Sequence, residues 1–287
     1  MKKLVTRSLG LYLNTLATVA PSKAAATGFQ LFCRPYRIPL TEKQLAFFNS
    51  ADRFQLVHDS TTVQGYRWGS GPKKILFLHG WQSHTYRWKT YIEALPKDEF
   101  SVFSLDAPGH GLSSGKFLSV PLYSSIIESF VRESGGIHSA VGHSLGGFSL
   151  LYSLYREPEL PLDKVVLLAP PGEAGEFISV FKKTLGLTER ATNLVIDFFA
   201  KQYNVTPDFF SAPKFAERVR AKGLIIHDEE DTEAPYQHVI PLHKAWKQSR
   251  LVTTRGYGHN LKSTSVVKEV VDFVNERETV DAPNLTA

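Results

Sequence analysis

The stretch Val141-Gly142-His143-Ser144-Leu145-Gly146-Gly147 constrains the fold of this chain more than any other. A short apolar run over residues 137–141 precedes the serine and reads as a buried strand. Phe148-Ser149-Leu150-Leu151-Tyr152-Ser153-Leu154-Tyr155 follows it with the apolar spacing of a helix packed on a sheet. A strand that turns at once into a helix holds the residue at the bend in a strained conformation. Glycines must flank that residue, because no side chain fits where the turn doubles back. The bend lifts the Ser144 hydroxyl clear of the sheet and aims the helix's free N–H groups at whatever binds beside it. Ser144 is therefore the candidate nucleophile. Gly111-Leu112-Ser113-Ser114-Gly115 fits the same G-x-S-x-G pattern in a different setting. Ser113 lies several residues past the nearest strand, and Pro121 is the first residue placed to open a helix behind it. That segment is expected to be loop.

Strands and helices alternate around this element. Residues 54–58 and 62–68 read as an opening strand pair joined by Asp59-Ser60-Thr61. Short apolar runs at 75–78, 102–105, 140–141, 165–168, 224–226 and 251–253 have the character of strands buried on both faces. Helical patterns separate them near 85–95, 122–134, 145–156, 236–247 and 264–276. The alternation predicts an α/β fold with a mostly parallel sheet and helices on both faces. One interval breaks the rhythm. More than fifty residues separate 165–168 from 224–226, where about twenty suffice for a crossover. The interval carries Phe177, Phe181, Phe198, Phe199, Phe209 and Phe210, too apolar for a linker, and reads as a short helical lid.

Composition narrows the function classes. Hydrophobic residues make up 43% and charged residues 21%, ordinary for a globular enzyme with a substantial core. The formal charge of +5 raises nucleic acid as a partner, but no basic run exceeds two residues and no aromatic-interleaved basic stripe exists, so none is expected. A single cysteine, Cys33, forbids an internal disulfide and suits a reducing compartment, which favours a cytoplasmic location. Asn204-Val205-Thr206 and Asn284-Leu285-Thr286 match the glycosylation sequon, a pattern short enough to recur by chance.

The N-terminus has two readings. Met1-Lys2-Lys3, an apolar stretch and Ala24-Ala25-Ala26 together imitate a signal peptide, and export is the alternative location. Arg7 and Asn14 interrupt the apolar stretch, however, and Leu9, Leu13, Leu16 and Ala20 recur at helical spacing. An amphipathic helix lying on the domain or on a partner is preferred. No apolar run reaches the length of a membrane span, so no transmembrane segment is expected.

Serine needs a base to take its proton and a third group to orient that base. Leu224-Ile225-Ile226-His227-Asp228-Glu229-Glu230-Asp231 runs off a buried strand into four consecutive acids, and Gly256-Tyr257-Gly258-His259-Asn260 follows the last strand. The chain order is serine, acid, histidine. With Leu78-His79-Gly80-Trp81, Asp106-Ala107-Pro108-Gly109-His110-Gly111 and Gly142 through Gly147, these motifs closely resemble the α/β-hydrolase superfamily, in its serine esterase and lipase-like branch. They span roughly 70% of the chain.

The resemblance implies an α/β-hydrolase fold over residues 53–287, with the lid at about 171–222 and residues 1–52 as a helical extension. It also implies a Ser144, Asp231, His259 triad and an oxyanion hole formed by the N–H groups of Trp81 and Leu145. Asp228 is the fallback acid, because this chain has Asp where the family commonly has Gly. Glu229 and Glu230 are expected to be solvated, and His79, His110 and Asp106 to brace loops. The expected activity is hydrolysis of a small-molecule carboxylic ester, with Trp81 and Tyr86 at the entrance of an apolar pocket beneath the lid. The same triad acting on a thioester, lactone, amide or carbon–carbon bond, or in acyl transfer, is the alternative. A ligand-binding scaffold without activity is another. No cofactor and no metal are expected: there is no H-E-x-x-H, no P-loop and no G-x-G-x-x-G opening a helix, and one cysteine makes no thiolate cage. Nothing in the sequence fixes the oligomeric state.

Overall fold

The computed structural model describes residues 2–275 and 285–286. Asn284, which opens the second sequon, lies outside the described residues. Two helices begin the chain, α1 (Lys2–Val19) and α2 (Pro21–Phe32). A third, α3 (Glu42–Asn49), starts at a capping box: the Thr41 hydroxyl accepts from the Gln44 N–H, and the Gln44 side chain accepts from the Thr41 N–H. Then follow β1 (Asp52–His58), β2 (Thr61–Trp68), β3 (Lys73–Leu78), α4 (Lys89–Ala94), β4 (Phe100–Leu105) and α5 (Val120–Glu133). The chain continues through β5 (Ile137–His143), α6 (Leu145–Arg156) and β6 (Leu162–Leu168). The long interval holds α7 (Ala174–Leu185), α8 (Glu189–Tyr203) and the short α9 (Ala212–Ala216). Last come β7 (Lys222–Asp228), α10 (Val239–Ala245), β8 (Ser249–Arg255), α11 (Thr264–Val274) and the two-residue β9 (Leu285–Thr286).

The strands form one sheet in the order β1-β2-β4-β3-β5-β6-β7-β8-β9. Pairing is antiparallel from β1 to β2 and from β2 to β4, and parallel across the rest. This is the mostly parallel sheet that the alternation of strands and helices predicts. Ile75, Phe77, Val141, Val166, Leu168, Leu224, Ile226 and Val252 face one core, with Val266, Val270 and Val274 of α11 packed in it. Their neighbours along each strand, such as Leu76, Ala140, Val165 and Ile225, are buried too, because helices cover both faces. Two helices come out shorter than their apolar patterns. Residues 85–88 and 236–238 each form a 3-10 turn before the α-helix begins. In the second case Pro241 sits in the first turn of α10, where its missing N–H costs nothing.

The chain divides into two compact units. One holds the whole sheet and consists of Pro35–Pro171 and Ala212–Ala287. The other joins Met1–Arg34 to Gly172–Ser211. In this helical unit Leu13 and Ala17 of α1 pack with Ala24, Leu185, Leu187 and Ala191. The phenylalanines of the interval meet aromatics of the first helices: Phe29 lies 5.3 Å from Phe198, and Phe32 lies 5.2 Å from Phe181. Asn14 ties α1 to the turn between α7 and α8, donating to the Gly186 carbonyl and accepting from the Thr188 N–H. Gly10 is required at its place, since a Cβ there would lie on the Leu185 carbonyl oxygen.

Candidate active site

Ser144 stands between β5 and α6 at φ +49°, ψ −123°, a region that non-glycine residues rarely enter. Close backbone packing holds it there. A Cβ on Gly142 would fall 2.5 Å from the Gly147 Cα, and one on Gly146 would fall 2.4 Å from the Leu78 carbonyl oxygen. The Ser144 N–H donates to the Leu168 carbonyl, which fixes the bend to the neighbouring strand. Leu145 opens α6, so its N–H belongs to the first turn, where helix geometry supplies no acceptor.

The segment after β3 passes beside this elbow. A Cβ on Gly80 would lie 3.0 Å from the Ser144 Cβ, so Gly80-Trp81 runs against the serine. Two histidines shape this segment through backbone bonds. His79 Nδ1–H donates to the Gly80 carbonyl, and its Nε2 accepts from the Ala107 N–H. His110 Nε2 accepts from the Gln82 N–H, and its Nδ1–H donates to the Pro108 carbonyl. Burial pushes both imidazoles down to about 3, which keeps each ring neutral and able to accept. Trp81 is half-buried, its ring edge-on to His110 at 5.7 Å. Tyr86 is half-buried as well and meets Phe47 of α3 edge-on at 5.6 Å, at the margin of the sheet's core. Asp106 accepts from the Thr85 and Leu112 N–H groups and the Tyr66 hydroxyl, bracing the turn through Gly111.

His259 follows β8 and meets Asp231, which follows β7. His259 Nδ1–H donates to Asp231 Oδ2 at 2.8 Å. With that proton on Nδ1, the neutral ring carries its lone pair on Nε2. The Asp231 side chain is fully buried, and its other oxygen accepts from the Glu233 and Ala234 N–H groups. Burial alone would raise its carboxyl. Hydrogen bonds from His227, His259 and the Ala234 N–H outweigh that and hold it far below the usual carboxylate range. Asp228 does other work. It accepts from the Thr254 hydroxyl and from the N–H groups of Tyr257 and Glu230, tying the ends of β7 and β8 together. Arg255 pairs with Glu229, an exposed contact.

Three further residues complete the arrangement. His227 Nε2–H donates to the Ala234 carbonyl and lies 3.4 Å from Asp231 Oδ2, the oxygen that also accepts from His259. His143 packs its ring on that of His259 at 5.0 Å and donates from Nε2 to the His259 carbonyl, bringing the Ser144 elbow and the His259 loop to one place. Burial and the nearby Arg87 charge keep His143 neutral, well below the ordinary imidazole value. Arg87 donates to the Asn260 carbonyl, one residue beyond His259. His227 and His143 stand inside the motifs and were visible there as residue types, but their bonds depend on the fold. Arg87 had no local signal at all.

The profile of the alpha/beta hydrolase family matches residues 75–272, and the chain belongs to this family. A serine hydrolase-like protein of Danio rerio is 34% identical over 130 residues, which cover 42% of this chain and 38% of that protein. An esterase of Mycobacterium tuberculosis is 31% identical over 114 residues, 38% of this chain and 37% of the esterase. The match thus spans less than half the length of either relative. Among solved structures, a Butyrivibrio proteoclasticus protein with bound ferulic acid superposes with a TM-score of 0.61 at 19% identity, over 78% of this chain and 98% of that one. That likeness is one of fold.

Proposed function

We propose that this protein is a serine hydrolase that cleaves small-molecule carboxylic esters through an acyl-enzyme on Ser144. The observation that carries the reading is the 2.8 Å bond from His259 Nδ1 to a buried, ionised Asp231, beside a serine held at φ +49°. Ser144 Oγ attacks the ester carbonyl carbon while His259 Nε2 takes its proton. Asp231 keeps the imidazole in the right tautomer and stabilises its charged form. The N–H groups of Trp81 and Leu145 hold the oxyanion, each donor contributing on the order of 10² to 10³ in rate. His259 then passes the proton to the departing alcohol. It next accepts a proton from water, whose oxygen attacks the acyl carbon, and the acid leaves as Ser144 regains its hydrogen.

Uncharged esters are the proposed substrate class, with Trp81 and Tyr86 assigned to substrate contact. The Glu233 carboxylate lies 4.0 Å from His259 Nε2, so a second negative charge on the acyl group would meet repulsion at the reacting edge. Initial rates on p-nitrophenyl esters of graded acyl length, beside a succinyl half-ester, test this. Neutral acyl groups should turn over faster, and the gap should narrow in Glu233→Gln. Equal rates on neutral and anionic esters would overturn the preference, and the absence of turnover on every ester would overturn the reaction.

A further inference from the structure

The positive charge of this chain has one origin. Residues 1–41 contain six lysines and arginines and no aspartate or glutamate, whereas the remaining 246 residues hold 27 bases against 28 acids. The same segment opens with a helix that is apolar on two sides. Gly10, Leu13 and Ala17 of α1 are buried within the helical unit, with Leu16 packed beside them, and of the Leu9, Leu13, Leu16 and Ala20 face expected from spacing only Leu9 is exposed. Val5, Leu9, Leu11, Tyr12 and Val19 remain between 37% and 73% exposed, five of the eleven large exposed hydrophobics among the described residues. Val5, Leu9, Tyr12 and Val19 follow one another by four, three and seven residues, so they run in one line along the helix. Arg7 is exposed on α1, and Lys23 and Arg34 are exposed at the start of α2 and just past its end.

An exposed apolar line on a helix without acids, in a segment carrying only positive charge, fits an interface that is hydrocarbon below and anionic above. We propose that the helical unit docks on an anionic phospholipid surface, with α1 lying in the interfacial plane. Val5, Leu9, Tyr12 and Val19 enter the acyl boundary, and Arg7, Lys23 and Arg34 meet the headgroup phosphates. Spanning is not the mode, since no helix among the described residues is long and apolar enough to cross a membrane. A second copy of the chain is a poorer occupant, because its face would set Arg7, Lys23 and Arg34 against their own like charges. The proposal stands apart from the hydrolase reading and survives its failure.

Co-sedimentation of the full chain with vesicles tests it. Binding to phosphatidylcholine–phosphatidylglycerol vesicles should exceed binding to pure phosphatidylcholine vesicles by more than tenfold and weaken as salt is raised. Arg7→Gln with Lys23→Gln and Arg34→Gln should cut anionic binding, by about fivefold for each charge that reaches the surface. Val5→Gln with Leu9→Gln should reduce binding further at every salt concentration. These residues are exposed, so the variants should keep the wild-type circular dichroism spectrum and their rate on a soluble ester. Equal binding to both vesicle types, or none to anionic vesicles at low salt, would overturn the proposal. So would light scattering that shows self-association abolished by Val5→Gln with Leu9→Gln, which would give the face to a second copy.

Discussion

Two pentapeptides of this chain carry the same pattern, and the fold treats them in opposite ways. Ser113 is buried in the loop after β4, where its hydroxyl donates to the Asp106 carbonyl and accepts from the Gln64 N–H. Both capacities are used in tying that loop to β2. Ser144 sits at a strand end in a left-handed conformation, its backbone fixed by Leu168 and its helix beginning one residue later. What separates a structural serine from a candidate nucleophile is the element around it. A loop serine satisfies its neighbours, whereas a serine at a strand-to-helix bend is presented to a ligand.

The comparison predicts unequal consequences. Ser144→Ala should lower ester turnover by on the order of 10⁴ or more with an unchanged unfolding midpoint, measured by steady-state kinetics and thermal denaturation. A residual rate within tenfold of wild type would place the nucleophile elsewhere. Asp231→Asn should follow closely, with a loss on the order of 10³ to 10⁴ in kcat, because an amide favours the wrong imidazole tautomer. Asp228→Asn should act mainly on stability, since its partners are the strand ends, and a larger loss of kcat there than at Asp231 would reverse the assignment.

Both regions also depend on neutral histidines. His79 and His110 hold the loops beside Trp81 and Gly111, and His143 carries the elbow. Each titrates near 6.5 when unfolded and far lower when folded, at about 3 for His79 and His110. Their contribution is therefore complete above about pH 6.5 and declines as pH falls toward 3, by roughly 1.4 kcal/mol per pH unit for each. Urea midpoints between pH 7 and pH 4 should show this fall, and His110→Gln should flatten it. A midpoint that stays constant over that range would contradict the neutral assignment.

Ser113→Ala leaves the Gln64 N–H and the Asp106 carbonyl short of a partner, so stability should drop by about 1–3 kcal/mol while kcat stays within twofold. Arg87→Met should act on turnover rather than on stability. Losing the bond to the Asn260 carbonyl should lower kcat by roughly tenfold with little change in KM, because the His259 loop is placed less well while substrate contacts remain. A change confined to KM would make Arg87 a substrate contact instead.

Legibility followed the backbone. The sheet, the elbow and the strand-end acids were readable because strand, turn and helix are adjacent in sequence, and each motif carries its own geometry. The choice between Asp231 and Asp228 rested on a family position. In the structure the loop from Asp228 to Ala234 folds back on itself, which aims Asp231 at His259 and Asp228 at Thr254. Contacts between distant segments were out of reach. The helical unit joins residues 1–34 to 172–211, and Phe29 finds Phe198 only once both segments have folded. Periodicity alone found Leu13 and Leu16 on the buried side of α1 but not Gly10, which is chosen for close approach to Leu185 rather than for hydrophobicity.

The central claim is that Ser144, and no other serine, is the activated nucleophile. Labelling of the native protein with a fluorophosphonate, followed by peptide mass spectrometry, tests it most directly. The account predicts a single phosphonylated peptide with the adduct on Ser144, absent in Ser144→Ala, retained in Ser113→Ala and formed far more slowly in Asp231→Asn. An adduct on Ser113 or any other residue, or no adduct on Ser144 in folded wild-type protein, would contradict it.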